Sequence, residues 1–169
     1  MTKKIIFITG GQRSGKSVFA ENMALSLSSN PIYMATAHIW DDDFAARVKT
    51  HQQRRGPQWE NIEEEKELSK HHVTGRVVLI DCCTLWATNY FFELNDISLA
   101  KEALKEQFDQ LTVQDATFIF VSNEIGMGGV SANEVQRKFT DLLGWLNQYV
   151  AANANDVYLM VSGISVKIK

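Results

Sequence analysis

Two cysteines are all the chain has, and they are neighbours, Cys82 and Cys83. Adjacent cysteines are badly placed for a long-range disulfide or a spaced metal site, so a disulfide framework is excluded and a reducing compartment suffices. Their expected place is a buried strand end, where a free thiol packs as a small hydrophobe. Long apolar runs are also missing. Nothing approaches the ~20 residues that cross a bilayer, and the first residues lead straight into a strand-like segment, so neither secretion nor membrane insertion is expected. Excess positive charge is absent as well: 17 Lys and Arg stand against 20 Asp and Glu, for a net charge of -3. Without a broad basic surface, polymeric nucleic acid is not an expected partner. No linker, repeat or low-complexity tract divides the 169 residues. One domain over residues 1–169, in the cytoplasm, is therefore expected.

What is present is an alternation of strands and helices. Short apolar or β-branched runs recur at Ile5 to Thr9, Ile32 to Ala35, Val77 to Ile80, Phe118 to Val121 and Val157 to Val161. They are nearly continuous in apolar residues, as expected for parallel strands covered on both faces by crossover helices. Ser131 to Glu134 reads as a capping box, and Val135, Phe139, Leu142, Leu143, Leu146 and Val150 follow at helical spacing. Ser98 is placed to cap another helix with Leu99, Ala103, Leu104, Phe108 and Leu111 as its buried stripe. The polar stretch around His71 and His72 reads as a solvated helix. At the end, Ser162-Gly163 between two apolar runs predicts a hairpin that adds an antiparallel edge strand.

Residues 10 to 17 read Gly10-Gly11-Gln12-Arg13-Ser14-Gly15-Lys16-Ser17, the full G-x-x-x-x-G-K-S/T pattern of a phosphate-binding P-loop. A strand precedes it and a helix over Val18 to Leu27 follows, so loop amides and the helix N-terminus converge on anionic oxygens. Glycines let backbone approach phosphate, Lys16 places a charge between phosphate groups, and the Ser17 hydroxyl can ligate Mg2+. Asp81, closing the run Val77 to Ile80, stands where such proteins place a carboxylate near the magnesium shell, although an aspartate there also serves as a helix cap. The fold expected is α/β: P-loop NTPase-like, three-layer α/β/α, with a mostly parallel sheet and an antiparallel edge strand near the C-terminus.

The segment Asp41 to Arg55 begins acidic and ends basic, matching the polarity of a helix dipole. On a helix Arg47, His51 and Arg55 share one face, with Arg54 one turn from His51. A solvated face with Asp43 paired to Arg47 accounts for this pattern from the residues alone. Beside a P-loop the same residues have a second reading: flanking guanidinium groups favour neutral imidazole and hold phosphate oxygens, and neutral imidazole can attack phosphorus. His38, His71 and His72 compete for that role. Asn123-Glu124 follows a strand and so falls at the carboxyl edge of the sheet, where Glu124 either contacts a ligand or orients the Gly126 to Gly129 turn.

Together these residues resemble the bifunctional adenosylcobinamide kinase/adenosylcobinamide-phosphate guanylyltransferases. The resemblance rests on Thr9 to Ser17, Tyr33 to Ala37, Asp41 to Trp59, Asn123 to Gly128 and Val161 to Lys169, spanning nearly the whole chain. It implies phosphorylation of adenosylcobinamide with ATP or GTP, then transfer of GMP from GTP to give adenosylcobinamide-GDP through a covalent histidine, carried over to His51. Lys16, from the chemistry of the phosphate loop, is the second expected catalytic residue. The implied nucleotide contacts are Gly10 to Ser17, Ala35, Thr36, Ala37, Gln52, Gln53, Arg54, Arg55, Glu63 and Asp81, with Ser17 and Asp81 on Mg2+. The chain departs from many members in having Gly56 before Pro57, and in having Asp81 where glutamate is also found. A homotrimer and a corrinoid substrate are implied by the resemblance alone.

Overall fold

Seven strands form a single sheet in the order β3-β2-β4-β5-β1-β6-β7 in the computed structural model, which describes residues 2–38, 45, 49 and 55–169. In chain order these are β1 (Lys4–Gly10), β2 (Ile32–Ala35), β3 (Glu60–Glu63), β4 (Val77–Asp81), β5 (Thr117–Asn123), β6 (Asp156–Val161) and β7 (Ile164–Lys167). The described helices are α1 (Lys16–Leu27), α2 (Cys83–Leu94), α3 (Ile97–Thr112) and α4 (Glu134–Asn153). All neighbouring strands run parallel except β7, which pairs antiparallel with β6 through the Ser162-Gly163 turn. The five predicted strands and the C-terminal hairpin are all present.

Strand pleating divides the core into two layers. Ile5, Phe7, Val78, Ile80, Phe118 and Phe120 point to one face, where they pack with Trp86 of α2, Leu104 and Phe108 of α3, and Leu142, Leu143 and Leu146 of α4. Ile6, Ile8, Val77, Leu79, Ile119 and Val121 point to the other, against Ala20 and Ala24 of α1. A strand covered on both faces needs apolar side chains at successive positions, which is why these runs do not alternate. Each large side chain fully buried here, such as Phe7 or Phe120, contributes about 1.5–3 kcal/mol of transfer free energy.

Several local expectations are corrected. The cap of α4 is Asn133, whose side chain accepts from the Gln136 amide, while Ser131 Oγ accepts from the Asn133 amide one turn earlier. Val135 is consequently exposed, and burial begins at Leu142 after half-buried Phe139. In α3 the cap is Asp96, accepting from the Leu99 amide, so Ser98 lies inside the first turn. The buried stripe there is Ala100, Leu104, Phe108 and Leu111, with Leu99 turned to solvent. The stretch before His71 and His72 holds only a single 3-10 turn, Leu68–Lys70. Strand β3 was not expected. As the sheet's outer strand it pairs with β2 alone, and its sequence Glu-Asn-Ile-Glu carries no apolar run. Among the described residues no helix is long and apolar enough to cross a membrane.

Candidate functional site

Parallel register brings the carboxyl ends of the strands into one row. Ala35 of β2 lies opposite both Glu63 of β3 and Asp81 of β4, and Gly10 of β1 lies opposite both Asn123 of β5 and Met160 of β6. Gly10, Ala35, Glu63 and Asp81, all assigned to phosphate, metal or nucleotide from the sequence, therefore share one edge, where open α/β sheets bind ligands.

The loop from Gly10 to Ser17 closes onto the start of α1. Its turn uses positive φ at Arg13 and Gly15, and Gly15, the cap residue, has no side chain to engage the first-turn amides of α1. Those amides face the loop as a ready anion site. Lys16 is buried, and its Nζ donates to the Gly11 carbonyl at 2.5 Å and to Ser14 Oγ at 3.4 Å. Burial lowers its pKa, while Cys82 and Asp81 act in the opposite direction, which places Asp81 within electrostatic reach of the amine. Ser17 is half-buried on the first turn of α1.

Asp81 is held by Tyr33, whose hydroxyl donates to Oδ2 at 2.8 Å. Burial, and after it the Asp81 charge, keep the Tyr33 phenol well above its ordinary pKa, so it remains a donor. On the Tyr33 ring rests the guanidinium of Arg55, with Cζ 3.4 Å from the centroid, and Trp59 packs edge-on against the same ring at 5.7 Å. Arg55 Nε and Nη1 are buried with no hydrogen-bond partner among the described residues, a costly arrangement that an anionic ligand would relieve. Thr36 is pinned to the end of β4: its hydroxyl donates to the Cys82 carbonyl at 2.7 Å and accepts from the Cys82 amide at 2.9 Å. Asn89 of α2 donates to the Thr36 carbonyl and to that of Glu65, which sets the backbone leading into Ala37.

His51, Gln52, Gln53, Arg54 and Arg47 lie outside the described residues, as do Asp41 to Asp43; Ala45 and Lys49 are helical. Of the competing histidines, His38 Nδ1 pairs with Glu65 at 2.8 Å, His71 Nε2 faces Glu64 at 3.3 Å, and His72 is exposed. Glu124 turns out to orient its own turn, its two oxygens accepting from the Gly126 and Met127 amides at 2.9 Å each.

Three roles escaped the sequence. Tyr33 joins Asp81 to Arg55; it stood in the Tyr33 to Ala37 stretch of the resemblance, but the only sign of this role was a hydroxyl within an apolar strand. Glu64, which stands between Glu63 and Glu65, is buried and accepts from the Lys66 and Glu67 amides and from Lys70 Nζ at 2.5 Å. Burial pushes its carboxyl up, but these bonds and His71 outweigh burial and hold it at about 2. The third is the Ser162-Gly163 turn, where the Gly163 amide donates to the Ser14 carbonyl.

The sequence model described as "Cobinamide kinase / cobinamide phosphate guanyltransferase" matches residues 6–168. The chain is 38% identical to the bifunctional adenosylcobalamin biosynthesis protein CobU of Escherichia coli, aligning over 98% of this chain and 99% of that one. It is 35% identical to the protein of the same name from Salmonella typhimurium, again over 98% and 99%. Identity to the bifunctional adenosylcobalamin biosynthesis protein CobP of Pseudomonas aeruginosa is 35%, over 96% and 95%. Among solved structures, a KaiC-like protein of Pyrococcus horikoshii superposes with a TM-score of 0.52 at 13% identity, covering 92% of this chain and 70% of that one; the likeness is one of fold.

Proposed function

Since the chain belongs to the cobinamide kinase / cobinamide phosphate guanyltransferase family, we propose that it carries out both transfers itself, within one domain spanning residues 1–169. In the first, the side-chain hydroxyl of adenosylcobinamide takes the γ-phosphoryl group of ATP or GTP. In the second, GMP from GTP is joined to the new phosphate, giving adenosylcobinamide-GDP and pyrophosphate. The observation that carries this reading is the convergence, on one sheet edge, of a complete phosphate loop, Asp81, and an arginine with unbonded buried nitrogens.

For the kinase step, loop amides and the α1 N-terminus bind the polyphosphate, and the Lys16 ammonium neutralises charge that develops on the transferring group. The acceptor hydroxyl oxygen bonds to the γ-phosphorus as the bond to the β,γ-bridging oxygen breaks. The nucleoside diphosphate leaves, and the hydroxyl proton passes through the product phosphate to solvent. Ser17 and Asp81 offer the oxygen donors that a hard cation prefers, and both belong to the edge that holds Lys16, so the residues fit Mg2+. Bound there with nucleotide, the ion supplies further charge neutralisation. Tyr33 keeps the Asp81 carboxylate oriented.

For the second step His51 is the proposed nucleophile: its ring nitrogen bonds to the α-phosphorus of GTP and pyrophosphate leaves. A phosphate oxygen of the corrinoid then displaces the histidine from the phosphorus. Support comes from the Arg47, His51, Arg55 spacing and from Arg55, whose guanidinium is positioned on Tyr33 with donors to spare for phosphate. Ala35, Thr36, Ala37, Gln52, Gln53, Arg54 and Glu63 complete the proposed nucleotide contacts. A homotrimer would cover the free edge of β7, whose Ile164 and Val166 are exposed. A cytoplasmic setting would supply both nucleotides.

The test is incubation with Mg2+ and GTP labelled at the α-phosphate, wild type beside His51→Ala, followed by denaturation. Acid-labile, base-stable label on wild type alone is the expected result. Equal or absent labelling would remove the histidine route and leave a kinase without guanylyl transfer.

A further inference from the structure

Against the phosphate loop lies a cavity of about 460 Å3 that shares Gly11 and Ser14 with the nucleotide contacts above and none of the others. Gly11 and Ser14 of the loop form one wall, Met127 and Gly128 a second, and Met160, Val161 and Ser162 of the C-terminal hairpin a third. Asp81, Ala35 and Tyr33 belong to β4 and β2, beyond β5, whereas this cavity spans the end of β1 between the loop that follows β5 and the end of β6.

We propose that this cavity seats the hydroxyl-bearing side chain of the corrinoid acceptor, with the macrocycle remaining outside; the inference rests on the kinase reading given above. Position is the first argument. Gly11 and Ser14 are the two residues that receive the Lys16 ammonium, so an occupant of the cavity borders the phosphoryl group to be transferred. Such closeness is what an in-line attack requires.

Chemistry of the lining is the second. Reading a purine edge demands hydrogen-bonding groups with spare capacity, because discrimination comes from polar partners left unpaired by the wrong base. Here the polar groups are few and partly engaged: the Glu124 oxygens accept from the Gly126 and Met127 amides, Ser14 Oγ accepts from Lys16, and Ser162 is the one other polar side chain. Most of the lining is thioether and aliphatic surface from Met127, Leu159, Met160 and Val161, which adapts to an irregular, weakly polar chain. The volume is the third. It falls in the lower half of the usual range of about 300–1,000 Å3 for small-molecule pockets, enough for a side chain and too little for a corrin ring with its substituents.

Met127 provides the test because it is 79% exposed, so replacing it leaves the core untouched. Wild type, Met127→Lys and Met127→Leu are compared in phosphorylation of adenosylcobinamide by ATP and in binding of a fluorescent GTP analogue. The expected result for Met127→Lys is a KM for adenosylcobinamide raised at least about tenfold, with the nucleotide dissociation constant within about twofold of wild type. Met127→Leu should restore the wild-type KM. An unchanged KM in Met127→Lys overturns the proposal. So does weakened GTP-analogue binding at unchanged KM, which would put a nucleobase in the cavity. Wild type that labels from GTP yet never phosphorylates adenosylcobinamide would instead overturn the kinase reading, and this proposal with it.

Discussion

The Gly163 amide donates to the Ser14 carbonyl at 2.9 Å, so the C-terminal hairpin grips the phosphate loop by its backbone. Two further contacts tighten the same junction. A Cβ on Gly15 would come 3.2 Å from the Gly163 Cα, and one on Gly10 would come 2.5 Å from the Met160 carbonyl oxygen. The glycines of the loop thus answer to two demands, phosphate on one side and the β6–β7 hairpin on the other.

Gly10→Ala should therefore damage the junction even without ligand. Its new methyl group meets Ser14 Oγ at 2.8 Å, which can rotate away, and the Met160 backbone oxygen, which cannot retreat without moving the hairpin. Overpacking of this kind costs about 1–3 kcal/mol in denaturant unfolding. Nucleotide affinity should fall at least about tenfold, since the loop amides lose their aim. Gly11→Ala, whose Cβ has no neighbour within 4 Å, should unfold like wild type and serves as the control. Gly10→Ala with wild-type stability and affinity would refute the clamp.

Tyr33 allows the two proposed reactions to be separated. Tyr33→Phe removes the hydroxyl from Asp81 and keeps the ring beneath Arg55, whereas Tyr33→Leu removes both. The phenylalanine variant should lose about 1 kcal/mol of stability. It should slow phosphorylation severalfold, through Asp81, and leave labelling by GTP close to wild type. The leucine variant should lower that labelling as well, by at least about tenfold, because a freed guanidinium no longer positions phosphate. Identical kinetic losses in the two variants would show that ring and hydroxyl have no separate tasks.

The phosphate loop could be read directly because its eight residues are contiguous and their backbone geometry is local. Five strands were equally legible, since burial on both faces demands an uninterrupted apolar run. Strand β3 answers to a different rule: on the rim, Glu60 and Glu63 stay in solvent, and hydrogen bonds to β2 suffice. Caps were misplaced by two residues at α3 and α4, where several capping residue types crowd together and tertiary packing picks Asp96 and Asn133. Partners brought from distant strands, such as Tyr33 with Asp81 or Gly163 with Ser14, leave no local mark. Glu64 was hidden for the same reason, its burial depending on how the 64–71 loop folds back over α2 and α3.

Acid should act on the protein partly through Glu64. Its carboxyl titrates near 4.5 when unconstrained and is held at about 2 in the fold. The unfolded chain therefore binds the extra proton first, so Glu64 contributes full stability above about 4.5 and loses it progressively as pH falls toward 2. In urea unfolding, Glu64→Gln should be less stable than wild type at pH 7 and should show a shallower decline over that acid window. Parallel curves for the two proteins would mean that the Lys70, Lys66 and Glu67 contacts do not form in solution.

Cys82 and Cys83 sit at the junction of β4 and α2, directly after Asp81, and both are buried. Burial first, and then the Asp81 charge, push the Cys82 thiol up to about 11, and Cys83 also lies well above the ordinary thiol value. Thiolate is the reacting species, so an increase from 9 to about 11 lowers its fraction roughly a hundredfold near neutrality. At pH 8 native protein should accordingly resist iodoacetamide for at least about a hundred times as long as the urea-unfolded chain. Modification of native protein at the unfolded rate would mean that this junction opens in solution. Asp81, Thr36 and the end of β4 would then not be held in the arrangement on which the proposed metal and phosphate contacts depend.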